Sequence, residues 1–197
     1  MYKNSVWEII KVPEELIDEL NMVDSKWVFK TKNDENGKIN YKARLVSRGY
    51  LDKNFYDLSE TYAPVSRLPL VRLVFAIINK QNFQVCQLDV KTAFLNGELD
   101  KEIFMDIPEG VNIKRSKIKG YVKVCKLIES LYGLKISPKC WNDKLTEVTR
   151  KLGLKNSDLE PCLFIWREGN RIVIVLLYVD DIIIAGNCII KMKLKLN

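Results

Sequence analysis

The stretch RIVIVLLYVDDIIIAGNCII, residues 171–190, sets two adjacent carboxylates, Asp180 and Asp181, inside a long apolar run. A membrane-spanning helix is the first reading to exclude. Each Asp near the centre of an inserted helix costs about 2.5–3.5 kcal/mol, and here there is a pair. Ile172, Val173, Ile174, Val175, Val179, Ile182, Ile183 and Ile184 are all β-branched, a composition that favours strands. The stretch therefore reads as two short strands, about 172–179 and 182–186, joined by a tight turn at Asp180-Asp181. Both carboxylates then stand at a hairpin tip between strands whose apolar residues are buried. Two such charges about 4 Å apart repel by about 4 kcal/mol at an effective dielectric near 20, so something cationic must offset them.

Composition narrows what that cation is. The chain has no His, and its five Cys, at 86, 125, 140, 162 and 188, form no C-x-x-C pair. That argues against a zinc site, His-based acid–base catalysis and a disulfide scaffold. Scattered thiols suit a reducing compartment. At 197 residues and 47% hydrophobic content, the chain is globular, with one or two domains and a real core. A net charge of +7 suits either a polyanion partner or a Lys-rich solvated surface. At the N-terminus acidic residues arrive before any apolar run, so no signal peptide is read there.

Along the chain, residues 13–20 read as a short helix with Pro13 at its start. KWVFKTKNDENGKINYKARLVSRGY reads as a hairpin: Trp27, Phe29 and Thr31 alternate, NDENG supplies the turn, and Ile39, Tyr41, Ala43 and Leu45 alternate again. The other face of the second strand carries Lys42, Arg44 and, continuing the period, Arg48, so it is basic. Residues 66–81 read as a helix capped at Ser66 or a near neighbour, with Pro69 in the first turn; apolar on most sides, it is expected to be buried. FQVCQLDV, residues 83–90, is a strand ending at Asp89. Residues 101–120, with the Lys cluster KRSKIKG, read as loop, 121–127 as a strand, and SLYGLKISP as a turn-rich connector. A helix then starts with Ser137 as N-cap and Pro138 at its first position, buries Trp141, Leu145, Val148 and Leu152, and stops at Gly153. A three-strand meander follows, turning at REGN and at the Asp pair.

If the strand ending at Asp89 joins that meander, three carboxylates converge at one sheet edge. Oxygen-only ligands suit Mg²⁺ or Mn²⁺. Two such ions about 3.5–4 Å apart stabilise the attacking and leaving oxygens of a phosphoryl transfer. An acidic β-turn, which Asp also favours, is the alternative reading of the pair alone.

The ordered set KWVFKTKNDENGKINYKARLVSRGY, SETYAPVSR, QLDVKTAFLNGELDKEIFM, IPEG, VCKLIESLYGLK, DLEPCLFI and LYVDDIIIAGN resembles the reverse transcriptase domain of copia-type LTR retrotransposon polyproteins, from about Trp7 to Asn187. The resemblance implies an α+β polymerase fold, a palm with an N-terminal fingers subdomain and no thumb. Residues 1–187 would be fingers and palm: about 20–65 the fingers hairpin region, 66–110 and 137–187 mainly palm, and 111–136 the connection, with 188–197 a truncated stub. It implies that Asp89, Asp180 and Asp181 hold two Mg²⁺ or Mn²⁺ ions. Lys42, Arg44, Arg48, Val90 and Phe94 would hold the incoming deoxynucleotide, with Phe94 beneath the sugar. Tyr178, Val179, Gly133 and Lys135 would touch template and primer.

From the residues alone, Phe94 also fits core packing, and the cations also fit a solvated edge strand. The chain departs from the family pattern at Ile136 and Lys139, where Gln and Arg are usual, and lacks the Gln that commonly follows GY. The Gln replaced by Ile136 is expected near the nucleotide pocket. The resemblance implies an RNA template, a DNA primer and deoxynucleotides as partners, with protease, integrase and RNase H elsewhere in the polyprotein. It implies an intracellular place, in a cytoplasmic virus-like particle or the nucleus, and no membrane. An inactive remnant that at most binds nucleic acid, and a two-metal nuclease, remain the alternatives.

Overall fold

A computed structural model describes residues 6–34, 36–111 and 120–188. Most of the Lys cluster at 114–120, the residues after 188 and part of the NDENG turn lie outside the described residues. The strands are β1 (Trp7–Pro13), β2 (Met22–Val23), β3 (Ser25–Asn33), β4 (Ile39–Ser47), β5 (Gln84–Asp89), β6 (Phe104–Met105), β7 (Tyr121–Leu127), β8 (Lys155–Asn156), β9 (Leu163–Glu168), β10 (Arg171–Tyr178) and β11 (Asp181–Gly186). The α-helices are α1 (Leu58–Thr61), α2 (Leu68–Gln81) and α3 (Ser137–Lys151), with short 3₁₀ turns at Glu14–Glu19, Gly49–Leu51 and Ala93–Asn96. The chain forms two compact units, Met1–Tyr62 with Phe94–Trp141, and Ala63–Ala93 with Asn142–Asn197.

In the first unit, β1 lies antiparallel to β7, β6 lies on the other side of β7, and β2 runs parallel to β6. The core gathers Val23, Leu45, Ile103, Met105, Cys125, Leu131 and Ile136. The hairpin β3–β4 forms a separate ladder that sets Trp27 opposite Leu45, Phe29 opposite Ala43 and Thr31 opposite Tyr41, so the two expected alternations share one face. Its apolar face is buried only at the base. Leu45 is 1% exposed, whereas Phe29 and Tyr41 are 75% and 82% exposed, because among the described residues nothing packs over the distal half of the hairpin. The short helix expected at 13–20 is a 3₁₀ turn over Glu14–Glu19, with Pro13 before it at the cap position.

The second unit is a five-stranded antiparallel sheet in the order β5-β11-β10-β9-β8. Ile174, Leu176 and Ala185 on one face pack with Leu70, Val74 and Ile78 of α2. The i, i+4, i+8 spacing of those helix residues puts them on one stripe. The rest of α2 is not buried as expected: Leu68, Leu73 and Phe75 are exposed, since only one side of the helix meets the sheet. Ser66 does not cap it either. Arg67 holds the cap position without a side-chain bond, and the Ser66 hydroxyl donates to the Leu177 carbonyl at 2.6 Å, tying the helix start to β10.

Both long helices end in the same way. After α2, Asn82 takes φ +51° and the Phe83 N–H reaches back to the Ile78 carbonyl. After α3, Gly153 takes φ +85° while its own N–H bonds to the Arg150 carbonyl and the Leu154 N–H to that of Thr149. This paired pattern satisfies carbonyls that the helix leaves open, and it needs a residue that tolerates the left-handed region. At its start, α3 begins on Ser137 itself, whose hydroxyl donates to the Leu131 carbonyl at 2.6 Å instead of accepting from the helix. Among the described residues, no helix is long and apolar enough to cross a membrane.

Candidate active site

Three carboxylate residues meet at one end of the second unit's sheet. Asp181 opens β11 directly opposite Asp89, the last residue of β5. The Val90 N–H donates to the Asp180 carbonyl at 2.9 Å, so the chain leaving β5 is stitched to the hairpin tip. Cross-strand partners point to the same face of a sheet, so the side chains of Asp89 and Asp181 are neighbours. The Gln87 amide, one step diagonally along the same face, donates to Asp181 Oδ1 at 3.0 Å. Gln87 lies within the QLDV stretch; its alternation with Asp89 was the signal that could have found it.

The hairpin turns one residue earlier than expected. β10 ends at Tyr178 and β11 begins at Asp181, leaving Val179-Asp180 as the turn, not Asp180-Asp181. Asp180 is exposed at the tip, and Asp181 is half-buried in the ladder. Val179 pays for this geometry with φ +57°. Thr92, three residues after Asp89, has the same φ of +57°. Positive φ in a β-branched residue is an outlier, costing roughly 1–3 kcal/mol, and such residues gather at functional sites. Here one lies on each side of the carboxylate cluster.

These donors are all oxygens, which suits a hard divalent ion. Among the described residues, no three His, Cys, Asp or Glu side chains stand grouped closely enough to hold an ion as they are. The chemistry of the set fits Mg²⁺ or Mn²⁺, and the side chains would have to turn inward to bind it.

The basic residues belong to the first unit. On the hairpin, Lys42 faces Lys30 directly and Arg44 faces Val28, so Lys26, Lys30, Lys32, Lys42 and Arg44 share one face. Like charges directly opposite destabilise a ladder, and an anion on that face relieves them. The lysines of β3 were legible from the same period of two and extend the predicted basic strand into a basic ribbon. Arg48 departs from it. β4 ends at Ser47, and the Arg48 guanidinium pairs with the Asp24 carboxylate at 2.6 Å.

Phe94 sits in the 3₁₀ turn Ala93–Asn96, half-buried, its ring 5.0 Å from that of Tyr132. The Arg44 guanidinium lies 5.8 Å from the centre of the same Tyr132 ring. Gly133 has φ +96°, and a Cβ there would sit 2.0 Å from the Ser47 carbonyl oxygen, so no other residue fits between this loop and β4. The Lys135 ammonium donates to the Asp52 carbonyl at 3.3 Å. That segment is itself anchored: the buried Asp52 carboxylate accepts from Asn21, from the Asn54 N–H and from the Tyr56 hydroxyl, whose pKa is pushed well up by burial and by Asp52. Ile136 is 2% exposed and packs into the core of the first unit.

The structure therefore brings Asp89, Val90, Tyr178, Val179, Asp180 and Asp181 together in one unit. It gathers Arg44 and Phe94 around Tyr132 in the other unit, beside Gly133 of the same loop; Lys42 lies one step further along the β4 face.

Comparison with known proteins agrees with the motif order. Residues 4–196 match the family model described as reverse transcriptase (RNA-dependent DNA polymerase). The chain is 37% identical over 188 residues to the "Retrovirus-related Pol polyprotein from transposon TNT 1-94" of Nicotiana tabacum, covering 94% of this chain and 14% of that protein. It is 36% identical over 185 residues to the corresponding polyprotein from transposon RE1 of Arabidopsis thaliana, covering 93% and 12%. A yeast relative, the "Truncated transposon Ty1-A Gag-Pol polyprotein", is 25% identical over 187 residues, covering 93% and 14%. The chain thus spans about a seventh of the length of these relatives. With the family model matched along nearly its whole length, this chain belongs to the reverse transcriptase (RNA-dependent DNA polymerase) family.

Proposed function

We propose that this chain is the fingers-and-palm portion of a copia-type retrotransposon polymerase, extending a DNA primer on an RNA template. The second unit carries most of the expected palm and the first the fingers hairpin, while residues 94–110 and 137–141 of the expected palm fall in the first unit. The observation that carries the reading is the register of β11 on β5, which sets Asp181 opposite Asp89 and bonds Val90 to Asp180. Three acidic residues at one sheet end, with no cationic side chain paired to them among the described residues, are costly unless a metal ion neutralises them.

Asp89 and Asp180 are the principal ligands of two Mg²⁺ or Mn²⁺ ions, and Asp181 supports them. When bound, such ions stabilise the attacking and departing oxygens and neutralise charge on the phosphates. The protein's own contribution is placement. Gln87 holds one oxygen of Asp181 and so fixes that carboxylate's rotamer. Val179, held at positive φ, projects the tip so that Asp180 and Tyr178 stand exposed toward a primer end. Lys42 and Arg44 attract the triphosphate of a deoxynucleotide, assisted by Lys30 across the ladder. Phe94 lies beneath the sugar, where a 2′-hydroxyl would clash. Arg48, held by Asp24, acts on the fold of the strand end and through it on the basic face. Gly133 and Lys135 carry the template strand, and the polyprotein's remaining domains act with this one.

The test is Mn²⁺ binding to the full chain, followed by the loss of the free-ion electron paramagnetic resonance signal. The wild type should bind, and Asp89→Asn and Asp180→Asn should each weaken binding at least tenfold. Unchanged binding in both variants refutes the metal-site reading.

A further inference from the structure

The first unit contains an aromatic junction between two residues that the reading above gives to different parts of one nucleotide. Tyr132 lies in the tight connection between β7 and α3. Its carbonyl accepts the Ser47 N–H at 2.7 Å. Its neighbour Gly133, at φ +96°, is pressed against the same strand end. The backbone of Tyr132 is thus fixed to β4. Its ring meets the Arg44 guanidinium at 5.8 Å and the Phe94 ring at 5.0 Å, the planes tilted by 59°. Phe94 is held in turn, because its carbonyl accepts a hydrogen bond from the Ser130 hydroxyl.

We infer that Tyr132 is a positioning residue for the incoming deoxynucleoside triphosphate, coupling the phosphate grip of Arg44 to the sugar selection of Phe94. The inference rests on the nucleotide-binding reading proposed above. Arg carries many rotamers, and a π-face under the guanidinium restricts them to those that keep the charge on the basic face. The tilted contact likewise keeps the Phe94 ring from rotating away. One ring therefore orders both groups. Removing it should impair phosphate affinity and sugar choice together, which independent roles for Arg44 and Phe94 would not require. A Phe at 132 keeps the π-face; a Leu fills space without one.

Binding of dGTP and of GTP to the full chain, with Mg²⁺ present, tests this by titration calorimetry. The wild type should prefer dGTP. Tyr132→Phe should keep affinity and preference within about twofold. Tyr132→Leu should weaken dGTP binding about tenfold and bring the two nucleotides toward one affinity. Arg44→Lys leaves the core untouched and keeps the charge, but loses the planar stack. It too should lower the dGTP preference, although Arg44 is assigned to phosphate. If the wild type prefers dGTP and either Tyr132→Leu, in folded form, or Arg44→Lys retains that preference, the inference is overturned while the nucleotide-binding reading stands. If the wild type binds neither nucleotide, that reading fails and the inference with it.

Discussion

Replacing Ile136 with Gln, the residue usual in the family, should unfold this protein more readily rather than repair it. Ile136 is 2% exposed and packs among Leu131, Leu134 and Cys140 in the first unit's core. Removing its side chain forfeits roughly 1.5–3 kcal/mol of burial. Placing an amide there without partners costs a further 1–3 kcal/mol or so. The expected loss is therefore about 2.5–6 kcal/mol, a large share of the roughly 5–15 kcal/mol that holds a typical domain together. Urea unfolding followed by near-ultraviolet circular dichroism would show the transition of this unit at a lower midpoint, and Ile136→Val should cost only about 0.5–1.5 kcal/mol. A Gln variant as stable as the wild type, with raised nucleotide affinity, would refute the core placement and restore the expectation that this side chain borders the nucleotide pocket.

The basic ribbon should give sequence-independent nucleic-acid binding whose log K falls with log salt by about 0.7–0.9 per phosphate contact; Lys30→Ala with Lys42→Ala, compared by fluorescence anisotropy at several salt concentrations, should flatten that slope for every sequence alike. Stability should fall as pH rises from 9 to about 11. Burial, and then the Asp106 carboxylate, pushes the Cys125 thiol from its ordinary 9.0 up to about 11. Over that window the unfolded chain releases a proton that the folded chain keeps, so alkali favours unfolding. The difference between wild type and Cys125→Ala in urea midpoints at pH 8.5 and pH 10.5 should isolate this contribution, and an equal shift in both proteins would remove it.

Local pattern made much of this legible, and distant partners account for most of what it missed. The hairpin register, the strand over 121–127 and the helix ending at Gly153 follow from alternation, spacing and one left-handed residue. The burial of the hairpin and of α2 did not follow, because apolar spacing says which residues share a face but not how much of that face is covered. β1 escaped notice because its partner β7 lies far along the chain and the Ile9-Ile10 doublet breaks the alternation. Arg48 continued a period of two on paper, but Asp24 draws it out of the ribbon. At the candidate site, the Asp pair announced a hairpin tip, yet turn preferences favour Asp over Val at positive φ, so the turn was read one residue late. Tyr132 stands within SLYGLK, and only its position between Arg44 and Phe94 distinguishes it from ordinary core packing.

The central claim is that Asp89 and Asp180 form a metal-dependent polymerising centre, and primer extension measures it most directly. The chain, joined to the thumb of a relative, is given a DNA primer annealed to RNA, deoxynucleotides and Mg²⁺. Extension should stop on chelation and fall on the order of 10³-fold in Asp180→Asn and in Asp89→Asn, less in Asp181→Asn, with template binding retained. A folded fusion that binds RNA but does not extend the primer, or extends it equally well in both Asn variants, would contradict it.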